Sequence, residues 1–454
     1  VRACLLLLLC LITPAWSDEP PAPLDTVLPC GIRIIVQQEP QTRLVAINVF
    51  IRVGANEEDN ANAGIGNFVA STLLSGTSNQ DSETMAHEIG MLGGNATAVW
   101  QPDMTQIKAL TLASQFDEAS YLICDVLKNA NFSDDAVESS RHDLLANMQS
   151  QSDDLYQETY DGLRSALYAG TPYAHPQLGD PAIVRRLTSR QLRDFFARYY
   201  TPDRIVISVV GNVTTDQVAQ TLGQDLQDFP RTAGRQPPDP GIAAQPLAKM
   251  AVVKRYRPDL TAGYVMAGFL APGAGSKDYP AMLLANALLG GMKTSLLFVN
   301  LREKQQLGYE VGSVYPNQIG ASDCEAYIIS APTRTSSTGK AEPIFGTVRD
   351  ALVDQFKLLR QNPPSDADLA RAKRYLIGSY LIEHERLEQR AYYLGYSEIA
   401  LKSLGGYRFD SHFADIINAV TPADIQRVAQ KYLSGNYAVS MLLPGDPNAG
   451  VLKE

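Results

Sequence analysis

The 454-residue chain predicts an α+β fold built twice over. Two observations carry that reading. A programme of strand patterns and helical runs occurs on either side of a Pro- and Gly-rich stretch, Phe229 to Ala248, which has few large apolar residues and reads as a linker. The ends of the two halves also match. Leu-Thr-Ser-Arg-Gln-Leu-Arg-Asp-Phe-Phe-Ala-Arg-Tyr-Tyr from Leu187 parallels Val-Thr-Pro-Ala-Asp-Ile-Gln-Arg-Val-Ala-Gln-Lys-Tyr-Leu from Val420. Thr188 pairs with Thr421 and Tyr199 with Tyr432, and an apolar strand pattern follows each, Val206–Val209 and Val439–Leu442. Near the starts, Val49–Ala55 parallels Ala267–Ala274 more loosely. Two copies of one supersecondary unit are the economical conclusion.

In chain order, residues 1–17 read as an export signal: Arg2 is the positive end, Cys4 to Ile12 the apolar core and Ala15-Trp16-Ser17 the cleavage site. The core is shorter than the ~20 residues that span a bilayer, and no other stretch is apolar enough to do so. Residues 18–28 are Pro-rich and expected to be flexible. The first domain is expected over 29–229. Alternating or continuous apolar patterns place strands at 32–37 and 45–53, helices at 62–74 and 82–92, and strands at 95–100 and 104–112 around the Pro102-Asp103 turn. Helices follow at 114–129, 134–149, 153–168 and 189–199, then a strand at 204–210 and a helix at 215–226. With 230–248 as the linker, the second domain runs over 249–454, with strands at 250–256 and 262–270, two more from Tyr309 and Cys324, and long helices at 342–361 and 367–383.

A formal charge of −10 argues against nucleic acid and anionic membranes as partners. Outside the signal, Cys30, Cys124 and Cys324 are too few for a disulfide framework, and Cys124 reads as a buried thiol in a helix. The five histidines, His87, His142, His175, His384 and His412, never pair at helical metal-ligand spacing, and His384-Glu385 begins a His-Glu-x-x-His pattern that Glu388 ends. No Gly-x-Ser-x-Gly is present, and Gly290-Gly291-Met292-Lys293 lacks phosphate-loop spacing.

One stretch stands out: Leu301-Arg302-Glu303-Lys304-Gln305-Gln306-Leu307-Gly308-Tyr309-Glu310-Val311. An apolar helical run to Leu289, a Gly290-Gly291 break and a short helix over 295–302 precede it, and alternation begins after Gly308. This is helix, tight turn, strand. Arg302 then sits on the last helical turn and Tyr309 at the mouth of the strand, where five guanidinium donors and one hydroxyl can converge on a peptide carbonyl. On periodicity alone the plainer reading, a helix-end Arg and a packing Tyr, is the favoured one.

That segment resembles the substrate-binding stretch in the second domain of the pitrilysin/insulinase-type zinc peptidases, the inverzincins. The resemblance extends over essentially everything after the signal apart from the linker. It implies two tandem homologous α/β sandwich domains, each a mixed, mainly antiparallel sheet covered by helices, and it assigns Arg302 and Tyr309 to binding the substrate backbone. The family's other half-site, His-x-x-Glu-His on a first-domain helix, corresponds to Gly64-Ile65-Gly66-Asn67-Phe68-Val69-Ala70-Ser71-Thr72-Leu73-Leu74-Ser75-Gly76-Thr77. Asn67 and Ser71 stand where the zinc-binding histidines belong, and Ala70 where the general base belongs. The third ligand, a Glu, falls at Asn147, or Ala146 on a one-residue slip. A catalytic zinc needs three protein ligands and a base for its water. The resemblance therefore implies no metal and no cofactor in this chain, with zinc carried by a partner. The expected role is the non-catalytic, peptide-binding subunit of a heterodimer with a His-x-x-Glu-His homologue, acting on unstructured peptides, exported and periplasmic. Two other roles remain open: a structural core-type protein without peptidase work, and a stand-alone peptide-binding protein.

Overall fold

A computed structural model describes residues 22–93, 96–151, 153–229, 244–335 and 341–445. The signal stretch 1–17 and most of the linker lie outside them. Two mixed sheets with helices make up the fold. The first half contributes β1 (Leu24–Val27), β2 (Arg33–Gln38), β3 (Leu44–Ile51), β4 (Ala96–Trp100), β5 (Thr105–Leu112) and β6 (Ile205–Gly211). Its helices are α1 (Ile65–Thr72), α2 (Ser82–Met91), α3 (Phe116–Asn129), α4 (Asp134–Gln151), α5 (Leu155–Leu167), α6 (Pro181–Val184), α7 (Ser189–Tyr199) and α8 (Thr215–Asp225). The second half contributes β7 (Ala251–Arg257), β8 (Gly263–Pro272), β9 (Glu310–Val314), β10 (Ala321–Ser330), a small hairpin β11 (Thr333–Thr335) and β12 (Ala341–Pro343), and β13 (Ala438–Pro444). Its helices are α9 (Tyr279–Asn286), α10 (Phe345–Gln361), α11 (Asp366–Glu383), α12 (Leu387–Ala400), α13 (Phe409–Ala419) and α14 (Pro422–Tyr432).

The sheet orders are β1-β2-β6-β3-β5-β4 and β7-β13-β8-β10-β9. Apart from the extra edge strand β1 they are the same topology. In each sheet the last strand of the half pairs parallel with the first, β6 with β2 and β13 with β7, while the other pairs are antiparallel. β1 corrects one expectation. Leu24–Val27 pairs antiparallel with β2, so this part of the segment expected to be flexible is a strand, because the edge of β2 offers it a hydrogen-bonding partner. Two helices are shorter than their apolar patterns suggested. Residues 62–64 form turns before α1, and 342–343 belong to β12 rather than to α10.

The matched ends are two equivalent helices, α7 and α14, each opened by a capping box. Thr188 accepts from the Gln191 N–H, and Thr421 from the Asp424 N–H. The looser match near the starts also has a physical cause. A Cβ on Gly54 would lie 2.3 Å from the Pro102 carbonyl oxygen, and one on Gly273 would lie 2.0 Å from that of Gly320. Both glycines let the strand end pass close to the following hairpin loop.

The halves do not pack as two closed units. α5, from the first half, lies on β8 and β13 of the second sheet, and α12, from the second half, lies on β3 and β6 of the first. A glycine makes each crossing possible: a Cβ on Gly162 would come within 2.4 Å of Ser440 Oγ, and one on Gly395 within 2.3 Å of the Phe50 ring. Accordingly Phe50, Val206 and Ile35 belong to the core of the second half, while Tyr160, Leu163 and Tyr168 pack with Met266 and Ala438.

Candidate functional site

The helix that aligns with the family's metal helix is α1, and it is occupied by packing. Gly64, at φ 99°, turns the chain into it. The Glu58 carboxylate accepts the N–H groups of Gly64 at 3.1 Å and Gly66 at 2.8 Å, in place of a side-chain cap. Burial pushes the Glu58 carboxyl up to about 7, against the pull of those two bonds. Trp100 of β4 fills the space beside Gly66, where a Cβ would meet the indole at 2.0 Å.

The three substituted positions are each used internally. Asn67 is buried, and its amide donates to the Leu178 carbonyl at 3.2 Å. Ala70 belongs to the core. Ser71, on the exposed side, donates back to the Asn67 carbonyl at 2.8 Å, as mid-helix serines do. α4 packs against α1, as the alignment requires, but Asn147 and Ala146 are exposed on it. The contact is made instead by Arg141, whose guanidinium lies 5.1 Å from the Phe68 ring centroid and donates to the carbonyls of Val184 and Leu187. An amide, a methyl and a back-bonded hydroxyl do not make the donor set of a catalytic zinc site, which calls for His nitrogens and carboxylates. Among the described residues no group of three His, Cys, Asp or Glu side chains is arranged to hold a metal ion.

The histidines are structural or exposed. His384 meets the Tyr380 carbonyl and the Asp410 carboxylate at 2.7 and 2.6 Å and stacks on Tyr393, while His142 is exposed. All three remaining cysteines are buried and free, and burial pushes the thiols of Cys124 and Cys324 well up.

The segment holding Arg302 and Tyr309 is built differently. The chain runs from α9 through π-helical turns, the second over Phe298–Lys304, rather than through the regular short helix that the sequence suggested. Leu301 and Leu307 anchor the segment in the core, with the Leu307 N–H donating to the Leu301 carbonyl at 2.9 Å. Between them Gln306 takes a left-handed φ of 54°. Gly308 then presses against β10, where a Cβ would sit 2.4 Å from the Ile329 carbonyl oxygen. The Tyr309 N–H donates to that same carbonyl and β9 begins. The turn thereby exposes both predicted side chains. Arg302 lies over the Phe298 ring, 4.7 Å from its centroid, and Tyr309 is 58% exposed. No hydrogen bond joins the two, and neither side chain makes one to another described residue. They are two free donors on one rigidly anchored turn.

Comparison with known proteins decides the lineage. The sequence model of the Insulinase (Peptidase family M16) domain matches residues 33–181, and that of the Peptidase M16 inactive domain matches 186–376. The chain belongs to the insulinase family, peptidase family M16. An "uncharacterized zinc protease" of Mycobacterium tuberculosis is 27% identical over 437 residues, covering 95% of each chain. A solved protease from Helicobacter pylori superposes with a TM-score of 0.83 at 17% identity, over 94% of this chain and 100% of that one. A peptidase M16 inactive domain from Pseudomonas fluorescens gives 0.80 at 19% identity, over 94% and 98%. These two structures bear on the fold alone. Within the M16 family, this chain keeps the frame of the metal helix, with Asn67 and Ala70 at its metal positions turned to packing.

Sequence reasoning did not find Glu58, Arg141 or the crossing glycines. Glu58 lies in the run Glu57-Glu58-Asp59, which reads as a solvated face, and Arg141 on a polar helix. The glycines did leave a signal, since Gly162 and Gly395 stand at the same separation as Thr188 and Thr421.

Proposed function

We propose that this chain is the non-catalytic, peptide-binding subunit of a heterodimeric zinc metallopeptidase, exported and periplasmic, whose partner carries His-x-x-Glu-His. One contrast carries the reading. Every polar group at the emptied metal positions is absorbed by the chain's own packing or faces solvent, while the turn carrying Arg302 and Tyr309 is anchored from behind and leaves both side chains without a hydrogen-bond partner among the described residues. A scaffold protein gains nothing from two such donors. Their chemistry suits the main-chain carbonyls of an extended peptide, with charge-assisted and neutral hydrogen bonds that act on any sequence. The partner would supply the metal-activated water, and this chain would hold the peptide in register against it. The zinc-protease names of the relatives support a peptidase context.

The test is to reconstitute the complex with a His-x-x-Glu-His partner and compare kcat/KM on an unstructured peptide for wild type and Arg302→Ala/Tyr309→Phe. Losing each bond costs about 1–3 kcal/mol, so the double variant should lose ten-fold or more, with association unchanged. Full activity of the variant complex, or of the partner alone, would instead favour the structural-scaffold reading.

A further inference from the structure

A cavity of about 770 Å³ lies between the first sheet and the N-terminal turns of α12. Its floor is a row of side chains on one face of three strands, since register pairs Asn48 with Lys108 and Lys108 with Thr97. Its far wall is α12 and the residue before it, with Arg386, Gln389 and Tyr392. Two of the amides are fixed: Gln106 donates to Asn48 at 2.6 Å, and Asn48 reaches the Glu388 carbonyl at 3.4 Å. The side chains of Gln101, Lys108, Arg386 and Gln389 line the same space and bond to no described residue.

The second half shows what the fold does when this space is closed. Glu325 and Tyr327 occupy the register positions of Gln106 and Lys108. There Tyr156 of α5 fills the gap, donating to Glu325 at 2.5 Å with its ring 5.2 Å from that of Tyr327. Counting from the crossing glycines Gly162 and Gly395, the residue of α12 that stands in the place of Tyr156 is Gln389. In the second half an aromatic ring occupies the space at this position. In the first half the chain has an amide there.

We propose that this cavity binds a short peptide with free ends. Each primary amide offers both a donor and an acceptor, the complement of a peptide unit. The Tyr392 ring supplies a flat apolar wall. Lys108 and Arg386 approach from the sheet and from the helix as two cations without a protein anion, and a guanidinium holds a carboxylate with two parallel bonds. The acids of the lining are Glu383, which accepts the Tyr393 hydroxyl, and Glu388. They bring the formal charge of the lining to neutrality, which favours a zwitterion over a bare anion such as phosphate. The choice of a peptide rests on the function proposed above, and the cavity would hold a released fragment or a chain end.

The experiment is calorimetric titration of the isolated full chain with tetra-alanine bearing free ends, its C-terminal amide, and inorganic phosphate. Wild type should bind the free peptide saturably, the amide at least ten-fold more weakly, and phosphate no better than the amide. Lys108→Gln/Arg386→Gln should erase the difference between free peptide and amide. Gln389→Tyr should abolish binding while the melting temperature holds, and an unchanged affinity in that variant would overturn the proposal. So would no saturable binding by wild type, or equal binding of phosphate. Since no partner is present, the result is independent of the complex assay. Binding here, with full activity of the Arg302→Ala/Tyr309→Phe complex, overturns the subunit reading alone, and the converse overturns the cavity alone.

Discussion

The two crossing helices meet equivalent sheets and solve the same packing problem in opposite ways. Under α5 the seam is filled and ionisable. Tyr160 and Tyr168 donate to Asp323 at 3.2 and 2.6 Å, Tyr156 donates to Glu325, and Arg164 lies buried over the rings of Tyr160 and Tyr168. Burial, with Asp323 beside it, pushes the Glu325 carboxyl well above its usual range. Under α12 the seam carries Phe50, Ser208 and two bonded amides, then opens into the cavity. Bulk is exchanged as well. The strand offers Phe50 to Gly395 in one seam, whereas in the other it offers Gly268 to Leu163. Duplication thus conserved the crossing and its glycines, while the side chains around them diverged into a closed seam and an open one.

The largest expected effect falls on the crossings themselves. Gly395→Val and Gly162→Val should each destabilise the chain by about 1–3 kcal/mol, since a Cβ would meet the Phe50 ring at 2.3 Å and Ser440 Oγ at 2.4 Å. Denaturant midpoints at equal slope would measure it. Loss at one glycine only would show that the two crossings are not equivalent.

A smaller effect should appear in the pH dependence. The loops β4–β5 and β9–β10 clasp each other across the seam: the Ile319 N–H donates to Asp103 at 2.7 Å, and the Tyr173 hydroxyl donates to the same carboxyl. Burial pushes Asp103 up to about 7, against the pull of the Ile319 and Gly320 backbone N–H groups and the Arg164 charge. The folded chain therefore keeps a proton that the unfolded chain has released. Stability from this group is complete below the unfolded value near 4 and is lost as pH rises through about 7. Between pH 6 and 8 one such group costs about 1.4 kcal/mol. Asp103→Asn should remove that share of the slope and leave the share due to Glu58. A slope unchanged by the substitution would mean that the clasp does not titrate there.

The smallest effect has the opposite sign. Gly378 lies within α11 with nothing near its Cβ position. Gly378→Ala should stabilise by about 0.5–1 kcal/mol, through helix propensity alone. Destabilisation there would undo the distinction between helical glycines required by a crossing and those merely tolerated.

Much of the fold was legible because its signals are local. Thr188 and Thr421 with their capping partners, the Pro102-Asp103 turn and the alternation after Gly308 each depend on a few neighbouring residues. The candidate site was half legible. Asn67, Ala70 and Ser71 could be placed by the frame around them, and Arg302 and Tyr309 by theirs. What holds them could not be read: the Leu178 carbonyl on Asn67, Arg141 over Phe68, and Ile329 against Gly308 are contacts between residues distant in sequence. β1 was lost for the same reason, since a four-residue edge strand has too short a pattern and takes its stability from its neighbour.

By itself the sequence determined that the unit is duplicated, that its first copy has no His-x-x-Glu-His run, and that its second keeps an Arg and a Tyr at the ends of one turn. Composition and short-range spacing suffice for those statements. Only the tertiary structure decided that each half lends a helix to the other's sheet, that Asp103 and Glu325 are buried across the join, and that one seam closes where the other stays open. Those outcomes depend on which side chains meet after the chain has crossed over. Desolvation and close packing act on such meetings, and neither leaves a periodic trace in the sequence.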